Sequence, residues 1–177
     1  MTIAESEAIL SRRPGIGTDS LRGLNKLILI KTQWYPELMM KLEMAAKQEA
    51  RAWNLKDHQV EVITGPGALE LPMLVQWVGE SHPSDDLAVV ALGCVVRGDT
   101  PHFDYVCSNA MTQLQAVSLK LSLAFGNGLL TVDSIEQARA RESKGAEAVQ
   151  AALWMYHLKT QLLGRVKGGH GISSSQS

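Results

Sequence analysis

The chain has 177 residues, of which 45% are hydrophobic and 20% charged, and its formal net charge is −1. This length and composition are typical of one globular domain. Lys and Arg never occur in runs longer than two residues. This argues against nucleic-acid binding, because that affinity comes largely from clustered positive charge.

Cys94 and Cys107 are the only cysteines in the sequence. They are too few for a disulfide scaffold and lack the CxxC spacing of common zinc sites, so we expect neither. The first residues contain no apolar core of a signal peptide. No apolar stretch reaches the ~18 residues that a membrane-spanning helix requires. A cytoplasmic location is therefore the expectation.

Strand and helix signals alternate through residues 24–163, between two segments that lack regular periodicity. Residues 1–23 contain Pro14 and several Gly residues and predict an irregular N-terminal arm. Residues 164–177 are rich in Gly and Ser and predict a flexible C-terminal tail. The expected organisation is one domain over residues 24–163 with an extension at each end.

The predicted elements follow one another in a regular order. Short apolar or β-branched runs predict strands, and apolar residues spaced three or four apart predict helices. Gly145 is expected to break or kink the last helical region, dividing it in two. In chain order we expect a strand at 24–33, a helix from Pro36, a strand at 58–65, a helix at 68–81, a strand at 87–96, a helix at 101–124, a strand at 128–132 and a helical region from the capping box at 134–137.

The third predicted strand is a continuous apolar run, which is typical of a strand buried on both faces of a sheet. Strands that alternate with helices of this length predict a parallel sheet with right-handed crossovers and helices on both faces. The predicted fold class is therefore α/β, a three-layer αβα sandwich with a four-stranded sheet.

Ligands of open parallel sheets bind outside the carboxyl ends of the strands, so the strand-to-helix junctions are the candidate sites. Trp34 follows the first strand, where its ring either stacks on a flat ligand or packs against a neighbouring helix or subunit. Glu70 lies in the segment GPGALELP after the second strand, whose glycines allow close backbone approach. Its carboxylate either accepts hydrogen bonds from ligand hydroxyl groups or complements the helix dipole.

The third junction, RGDTPHFD at residues 97–104, follows the most apolar strand. Gly98 provides a turn, Thr100 is the expected N-cap and Pro101 the first helical residue. A glycine loop before a helix N-terminus is an anion-binding geometry. His102 lies beside it and is either a proton-transfer residue or a structural histidine.

Other motifs narrow the chemistry. Neither GxxxxGK[ST] nor GxGxxG is present, so nucleoside triphosphates and dinucleotides are not supported. No GxSxG segment supports a serine hydrolase triad. Arg139, Arg141 and Lys144 follow the last strand and form either a solvated face or a phosphate clamp.

The junction segments resemble those of a known family. PGALELP, LGCVVRGDTPHFDYVC, LLTVDSIEQA and KGAEAVQAAL are similar, in order and spacing, to segments of the 6,7-dimethyl-8-ribityllumazine synthase (lumazine synthase) family. The resemblance covers about residues 20–160, and RGDTPHFDYVC is its most specific part.

The resemblance implies a flavodoxin-like fold and a transferase of riboflavin biosynthesis. The implied reaction condenses 5-amino-6-(D-ribitylamino)uracil with 3,4-dihydroxy-2-butanone 4-phosphate to 6,7-dimethyl-8-ribityllumazine, with release of phosphate and water. No metal or redox cofactor is implied. A homopentamer with active sites at subunit interfaces is implied as well, with a product that passes to riboflavin synthase.

The resemblance also implies roles for individual residues. Trp34 matches the aromatic residue that stacks on the pyrimidine or lumazine ring. His102 matches the proton-transfer residue, and Arg141 the arginine that a neighbouring subunit contributes to the phosphate. The other implied contacts are those of Gly67, Ala68 and Glu70 with the ribityl chain, of the Val95 and Val96 backbone with the pyrimidine, and of the Gly98, Asp99 and Thr100 amides with the phosphate.

Three features depart from the usual pattern of the family that the chain resembles. Asn127 stands where many members have Phe, so the wall completed by the next subunit is more polar. Asp99 replaces a small residue and adds a negative charge near the phosphate, which Arg97 or Arg141 would offset. Lys144 follows Arg141 almost at once, without the longer Gly/Lys-rich loop that helps to decide shell assembly.

Two other functions stay open on the sequence. A flavin- or lumazine-binding or storage protein with weak or no synthase activity would keep the fold, and the Asn127 and loop departures are compatible with it. Arg141 favours the enzyme, because binding a flavin ring does not require a phosphate arginine. The third hypothesis is a shell-forming scaffold, against which the shortened loop argues. Particle size would separate a pentamer, a decamer and a 60-mer.

Overall fold

The computed structural model describes residues 21–83 and 86–168, the last five of them by backbone alone. A short 3₁₀ turn at Asp57–Gln59 precedes the second strand. Within this part of the chain, the elements are β1 (Lys26–Thr32), α1 (Pro36–Ala52), β2 (Val60–Gly65), α2 (Leu71–Ser81), β3 (Leu87–Val96), α3 (His102–Lys120), β4 (Ala124–Val132), α4 (Ile135–Arg139) and α5 (Lys144–Gly168).

The four strands form one sheet in the order β2-β1-β3-β4, and every pairing is parallel. Leu29 of β1, for example, lies opposite Val62 of β2 on one side and Val90 of β3 on the other. Residues 87–94 of β3 are all buried, as its apolar run predicts. The predicted α/β class with a four-stranded parallel sheet is confirmed.

Side chains of the strands alternate between two apolar cores, one on each face of the sheet. Leu27 and Leu29 point to the face that α1 and α5 cover, where Tyr156 is the largest fully buried side chain. Ile28 and Ile30 point to the opposite face, which α2 and α3 cover. The layers are therefore those of the predicted αβα sandwich.

Two glycines let α5 approach its neighbours closely. A Cβ at Gly126 of β4 would lie 1.9 Å from the carbonyl oxygen of Ala148 in α5. A Cβ at Gly145 would lie 2.0 Å from the carbonyl oxygen of Leu42 in α1. Both contacts involve backbone, which cannot move aside as a flexible side chain can. The glycines therefore set the distance of α5 from the sheet and from α1.

The sequence predicts a break at Gly145, but Gly145 does not break the last helical region. The break lies between Arg139 and Lys144, and Gly145 occupies the first turn of α5. Ser134 caps α4 as predicted, since its hydroxyl accepts a hydrogen bond from the Gln137 amide. The Gln137 side chain accepts from the amide of Asp133, one residue before the position that a capping box requires.

Several element boundaries differ from the sequence prediction. α3 ends at Lys120 and not at residue 124, because Ser122 adopts a left-handed φ of 51° that a helix cannot continue. β4 begins at Ala124, four residues before the predicted start, since Gly126 and Asn127 interrupt the apolar run but pair normally with β3. β1 and β2 each begin two residues later than predicted, and α2 begins at Leu71 and not at residue 68.

The terminal extensions fall largely outside the described residues. Of the predicted arm at 1–23, only residues 21–23 are described, and of the predicted tail at 164–177, only residues 164–168. Those last residues continue α5 as far as Gly168. The division into arm, domain and tail stays a prediction. None of the helices in the described residues is both long and apolar enough to span a membrane.

Glu43 joins β1 to α1 through two lysines. Its carboxylate lies 2.6 Å from Nζ of Lys31 in β1 and 2.6 Å from Nζ of Lys47 one helical turn further along α1. Burial opposes the charged form of Glu43, but the hydrogen bonds from both lysines outweigh it. The net result is a Glu43 pKa below its ordinary value of 4.5.

A depressed carboxyl pKa stabilises the fold above the unfolded-state pKa, and that stabilisation is lost as the pH falls through the folded-state pKa. Glu43→Gln should therefore lower the free energy of unfolding near neutral pH by about 1 kcal/mol. The difference from the unsubstituted chain should shrink as the pH falls below 4.5. Urea denaturation at several pH values measures it. Glu61→Gln, which removes the exposed 3.6 Å pair with Lys26, is the control and should show little pH dependence. A stability difference between Glu43→Gln and the unsubstituted chain that stays constant with pH would contradict the lowered pKa of Glu43.

Candidate active site

A cavity of about 270 Å³ lies at the carboxyl ends of the first three strands. This is the edge of the sheet where parallel α/β folds bind ligands. Seven of the residues that the sequence indicates line it together. Its full lining is Trp34, Tyr35, Gly67, Ala68, Leu69, Glu70, Cys94, Val95, Val96, His102 and Val106.

Trp34 stands at the turn between β1 and α1. Tyr35 adopts a left-handed φ of 54°, which turns the chain sharply before Pro36 starts the helix. The indole of Trp34 is 63% exposed, an unusual state for so large an apolar ring. Its face is therefore accessible to a flat ligand in the cavity.

Gly67 lies between Trp34 and Glu70. A Cβ at Gly67 would lie 3.0 Å from Oε2 of Glu70 and 3.6 Å from Nε1 of Trp34. Glu70 precedes α2 without capping it through its side chain, and its carboxylate accepts no hydrogen bond from other residues in the described part of the chain. The carboxylate is accordingly free to accept hydrogen bonds from a ligand.

The end of β3 leaves part of its backbone without a strand partner. The register of β3 with β1 ends at Leu92, opposite Lys31, whereas its register with β4 continues to Val96. Within the described residues, the side of residues 94–96 that faces away from β4 is therefore not paired by a strand. These backbone groups border the cavity beside Val95 and Val96. They can exchange hydrogen bonds with the edge of a polar ring.

His102 is the first residue of α3 and lines the cavity. The predicted capping at this helix is wrong in detail. Pro101 and not Thr100 occupies the N-cap position, and no side chain in the described part of the chain caps the helix. Gly98, Asp99 and Thr100 form the exposed loop between β3 and this helix, outside the cavity lining. The loop places its amides next to the helix N-terminus, where an anion would be favoured.

Arg97 is held at the start of the same loop. Its Nε donates to Oδ1 of Asp133 at 2.9 Å, its Nη1 lies 3.2 Å from Oδ1 of Asp104, and its Cζ lies 4.1 Å from the ring centroid of Phe103. The hydrogen bond with Asp133 contributes most to a pKa of Arg97 above its ordinary value. The guanidinium is thus engaged within this chain.

Asn127 and Arg141 do not join the cavity of this chain. The Asn127 side chain is exposed on β4, where its Nδ2 lies 3.0 Å from Sδ of Met111 and its Oδ1 accepts from the Leu129 amide at 2.9 Å. Arg141 follows α4, and its Nη1 donates to the carbonyl oxygen of Gln137 at 2.7 Å. The resemblance implied that both residues act at a site shared between subunits, Arg141 on the phosphate and Asn127 on the wall, and that assignment stays a prediction.

Four lining residues were missed by the sequence reasoning. Tyr35 and Leu69 are chain neighbours of predicted residues, and Cys94 directly precedes Val95. Val106 lies four residues after His102 and so on the same face of α3. Helical spacing from His102 could have identified Val106. No group of three or more His, Cys, Asp or Glu side chains within residues 21–83 and 86–168 is arranged to hold a metal ion.

Comparison with known proteins identifies the family. The profile of 6,7-dimethyl-8-ribityllumazine synthase matches residues 25–160. The chain belongs to the lumazine synthase family. Lumazine synthase homologues are transferases of riboflavin biosynthesis. The family resemblance, the flavodoxin-like fold and the enzyme class expected from the sequence are confirmed.

Curated lumazine synthases are similar over most of their length. The 6,7-dimethyl-8-ribityllumazine synthase of Corynebacterium glutamicum (strain R) is 42% identical over 147 residues, which cover 79% of this chain and 87% of the relative. That of Corynebacterium efficiens is 40% identical with the same coverage. That of Thermobifida fusca is 40% identical over 148 residues, covering 80% of this chain and 82% of the relative.

Cys94 is the one thiol among the described residues that line this cavity. Burial, followed by the interaction with Cys107, raises the pKa of Cys94 to about 11. Near pH 8 only about one such thiol in a thousand is ionised. The residue therefore acts as a small apolar wall of the cavity.

Native protein treated with iodoacetamide near pH 8 should leave Cys94 largely unmodified, since the thiolate is the reactive form. Peptide mass spectrometry measures the modified fraction. The same protein unfolded in urea is the control and should be modified quickly at Cys94. Fast modification of Cys94 in the native protein would show that the thiol is not held protonated.

Proposed function

We propose that this chain condenses 5-amino-6-(D-ribitylamino)uracil with 3,4-dihydroxy-2-butanone 4-phosphate to form 6,7-dimethyl-8-ribityllumazine, phosphate and water. Membership of the lumazine synthase family supports the reaction. One observation carries its assignment to this cavity, namely that seven residues expected to contact substrate or transfer protons line it together. They are Trp34, Gly67, Ala68, Glu70, Val95, Val96 and His102.

The proposed pyrimidine subsite uses the exposed ring of Trp34 and the end of β3. Trp34 stacks on the pyrimidine face, an arrangement favoured for aromatic pairs. The unpaired backbone of residues 94–96 meets the polar edge of the ring. The Glu70 carboxylate accepts hydrogen bonds from ribityl hydroxyl groups, and Gly67 and Ala68 leave room for the chain.

The proposed phosphate subsite is the loop before α3. Amides of Gly98, Asp99 and Thr100 donate to the phosphate, and the dipole of a 19-residue helix favours an anion there. Asp99 adds a negative charge close to this position, so the phosphate needs a cation from elsewhere. Arg97 already contacts two carboxylates. Arg141 is therefore proposed as the balancing cation.

Arg141 is proposed to act from a neighbouring subunit of a homopentamer, with Asn127 on the same shared wall. Arg141 does not line the cavity of its own chain, which supports this arrangement. Met73 and Trp77 on α2 are 50% and 59% exposed, and exposed apolar side chains one helical turn apart favour a contact between copies. The cytoplasmic location, the absence of a cofactor and the transfer of product to riboflavin synthase stay predictions.

In the proposed mechanism, the site orients two substrates and moves protons. The pyrimidine amine attacks the butanone carbonyl and loses water to form a Schiff base. Phosphate then leaves, and the resulting enol tautomerises to a ketone. The ribitylamino nitrogen attacks this ketone, and loss of a second water closes the ring. His102, between the cavity and the phosphate loop, transfers protons in these steps. Holding the substrates in the reacting geometry supplies much of the acceleration.

Turnover of the purified chain with both substrates tests the function, with lumazine absorbance as the readout. Arg141→Ala should lower kcat/KM by about 100-fold or more, because it removes the cation that offsets the departing phosphate. Arg139→Ala, an exposed arginine two residues away, is the matched control and should leave turnover unchanged. Absent turnover together with tight riboflavin binding would replace this proposal with the flavin-binding alternative, with which the Asn127 and loop departures are compatible.

Mixed assemblies test whether the site is shared. Trp34→Ala and Arg141→Ala chains, unfolded and reassembled together, should recover part of the activity that each lacks alone. Recovery requires that one site combine residues of two subunits. No recovery in particles shown to contain both variants would place Arg141 in its own chain's site or outside the chemistry.

His102→Ala should lower kcat by up to about 100-fold without abolishing turnover, since substrate orientation remains. Steady-state lumazine formation measures it, and particle size confirms intact assembly. His58→Ala, which changes an exposed histidine outside the cavity, is the control. Complete loss of turnover in intact particles would mean that His102 is required for the chemistry itself.

A further inference from the structure

Arg97 connects three segments of the chain beside the cavity. It directly follows β3, and its amide donates to the carbonyl oxygen of Val132 at 2.9 Å, which ties the β3 end to β4. Its side chain contacts Asp133 after β4 and the first turn of α3 at Phe103 and Asp104. These segments surround the loop that carries Gly98, Asp99 and Thr100.

The side chain of Arg97 also contacts the first turn of α3, although a guanidinium cannot accept hydrogen bonds from the free amides there. α3 begins without a side-chain cap, so its first turn lacks the usual restraint. The guanidinium supplies one by contacting Asp104 and stacking on Phe103, the residue next to His102. Arg97 is the first residue of the loop, and its side chain contacts the helix that follows the loop. This one residue therefore joins the two ends of the loop.

Asp133 is itself held in place. Its amide donates to Oε1 of Gln137 at 3.0 Å, and the Gln137 amide donates to Ser134. The carboxylate that receives Arg97 Nε is therefore anchored in the turn before α4. Through Asp133, Arg97 therefore fixes the loop relative to β4 and α4 as well as to α3.

We propose that Arg97 is a positioning residue that fixes the phosphate loop and His102 relative to the cavity. This inference rests on the proposed function, in which the loop binds phosphate and His102 transfers protons. The guanidinium of Arg97 is paired with Asp104 and Asp133. It therefore holds the loop in place and does not bind the phosphate directly. Lysine could not replace it fully, since a single ammonium cannot reach two carboxylates in a fixed fork and stack on Phe103 as well.

Kinetics of Arg97→Ala test the role. It should lower kcat/KM by about 10- to 100-fold, because a displacement of about 1 Å in a catalytic arrangement is sufficient for such a loss. KM for the butanone phosphate should rise and kcat should fall, while KM for the pyrimidine stays unchanged. Arg97→Lys should recover part of the loss. Asp133→Asn, which keeps the shape but removes the charge, should change the same constants less.

The matched control is Arg51→Ala. Arg51 forms an exposed pair with Asp57 at 3.0 Å, similar in geometry to the 2.9 Å contact of Arg97 with Asp133 but outside the cavity. It should leave all kinetic constants unchanged. A merely structural Arg97 would reduce the amount of folded protein without a selective rise in one KM.

Hydrogen exchange gives a second readout that does not depend on turnover. In Arg97→Ala, peptides spanning residues 97–107 should exchange faster, whereas peptides of β1 should not change. Unchanged exchange with unchanged constants would overturn the inference. A higher KM with unchanged exchange would make Arg97 a direct phosphate ligand and also overturn it. An inactive unsubstituted chain would refute the proposed function, and the exchange result would still decide whether Arg97 positions the loop.

Discussion

The unequal lengths of β1 and β3 are the constraint on which the site depends. β1 leaves the sheet at Thr32, whereas β3 continues to Val96 with β4 alone beside it. This stagger opens the cavity, exposes polar backbone to it and carries the chain on to the loop before α3. No strand uses the hydrogen-bonding capacity of this backbone on the cavity side, so the same stagger that builds the cavity also suits it to a polar ligand.

The remaining structure keeps this stagger in place. Gly126 and Gly145 let α5 lie directly against β4 and α1, which holds the outer edge of the sheet. Glu43 ties β1 to α1 through Lys31. At the carboxyl ends of the strands, Arg97 links the end of β3 to the end of β4 and to the first turn of α3. The core positions the strands, and a few polar contacts position the loops beside the candidate site.

Some features followed from local pattern and others did not. The β3 run predicted its strand to the residue, because a strand buried on both faces needs apolar side chains throughout. β4 was placed too short, since Gly126 and Asn127 look like a turn when their partners in β3 and α5 are unknown. Gly145 was misread for the same reason. A glycine is required there because the backbone of Leu42, a residue far away in the sequence, lies too close for a Cβ. Thr100 was a reasonable cap by residue type, yet the chain turns into α3 one residue later.

The junction motifs were enough to indicate the family by their resemblance to its segments. The alternation of strand and helix signals was enough to predict the α/β class and to place Trp34, Glu70 and His102 at one edge of the sheet, because the carboxyl ends of parallel strands coincide there. The folded arrangement was needed to show that Arg97 faces Asp133 and Asp104. It was also needed to show that Gly145 lies against the backbone of Leu42. These facts depend on how separate segments pack in space. Contacts between residues distant in the chain leave no periodic trace in the sequence, so only the folded arrangement reveals them.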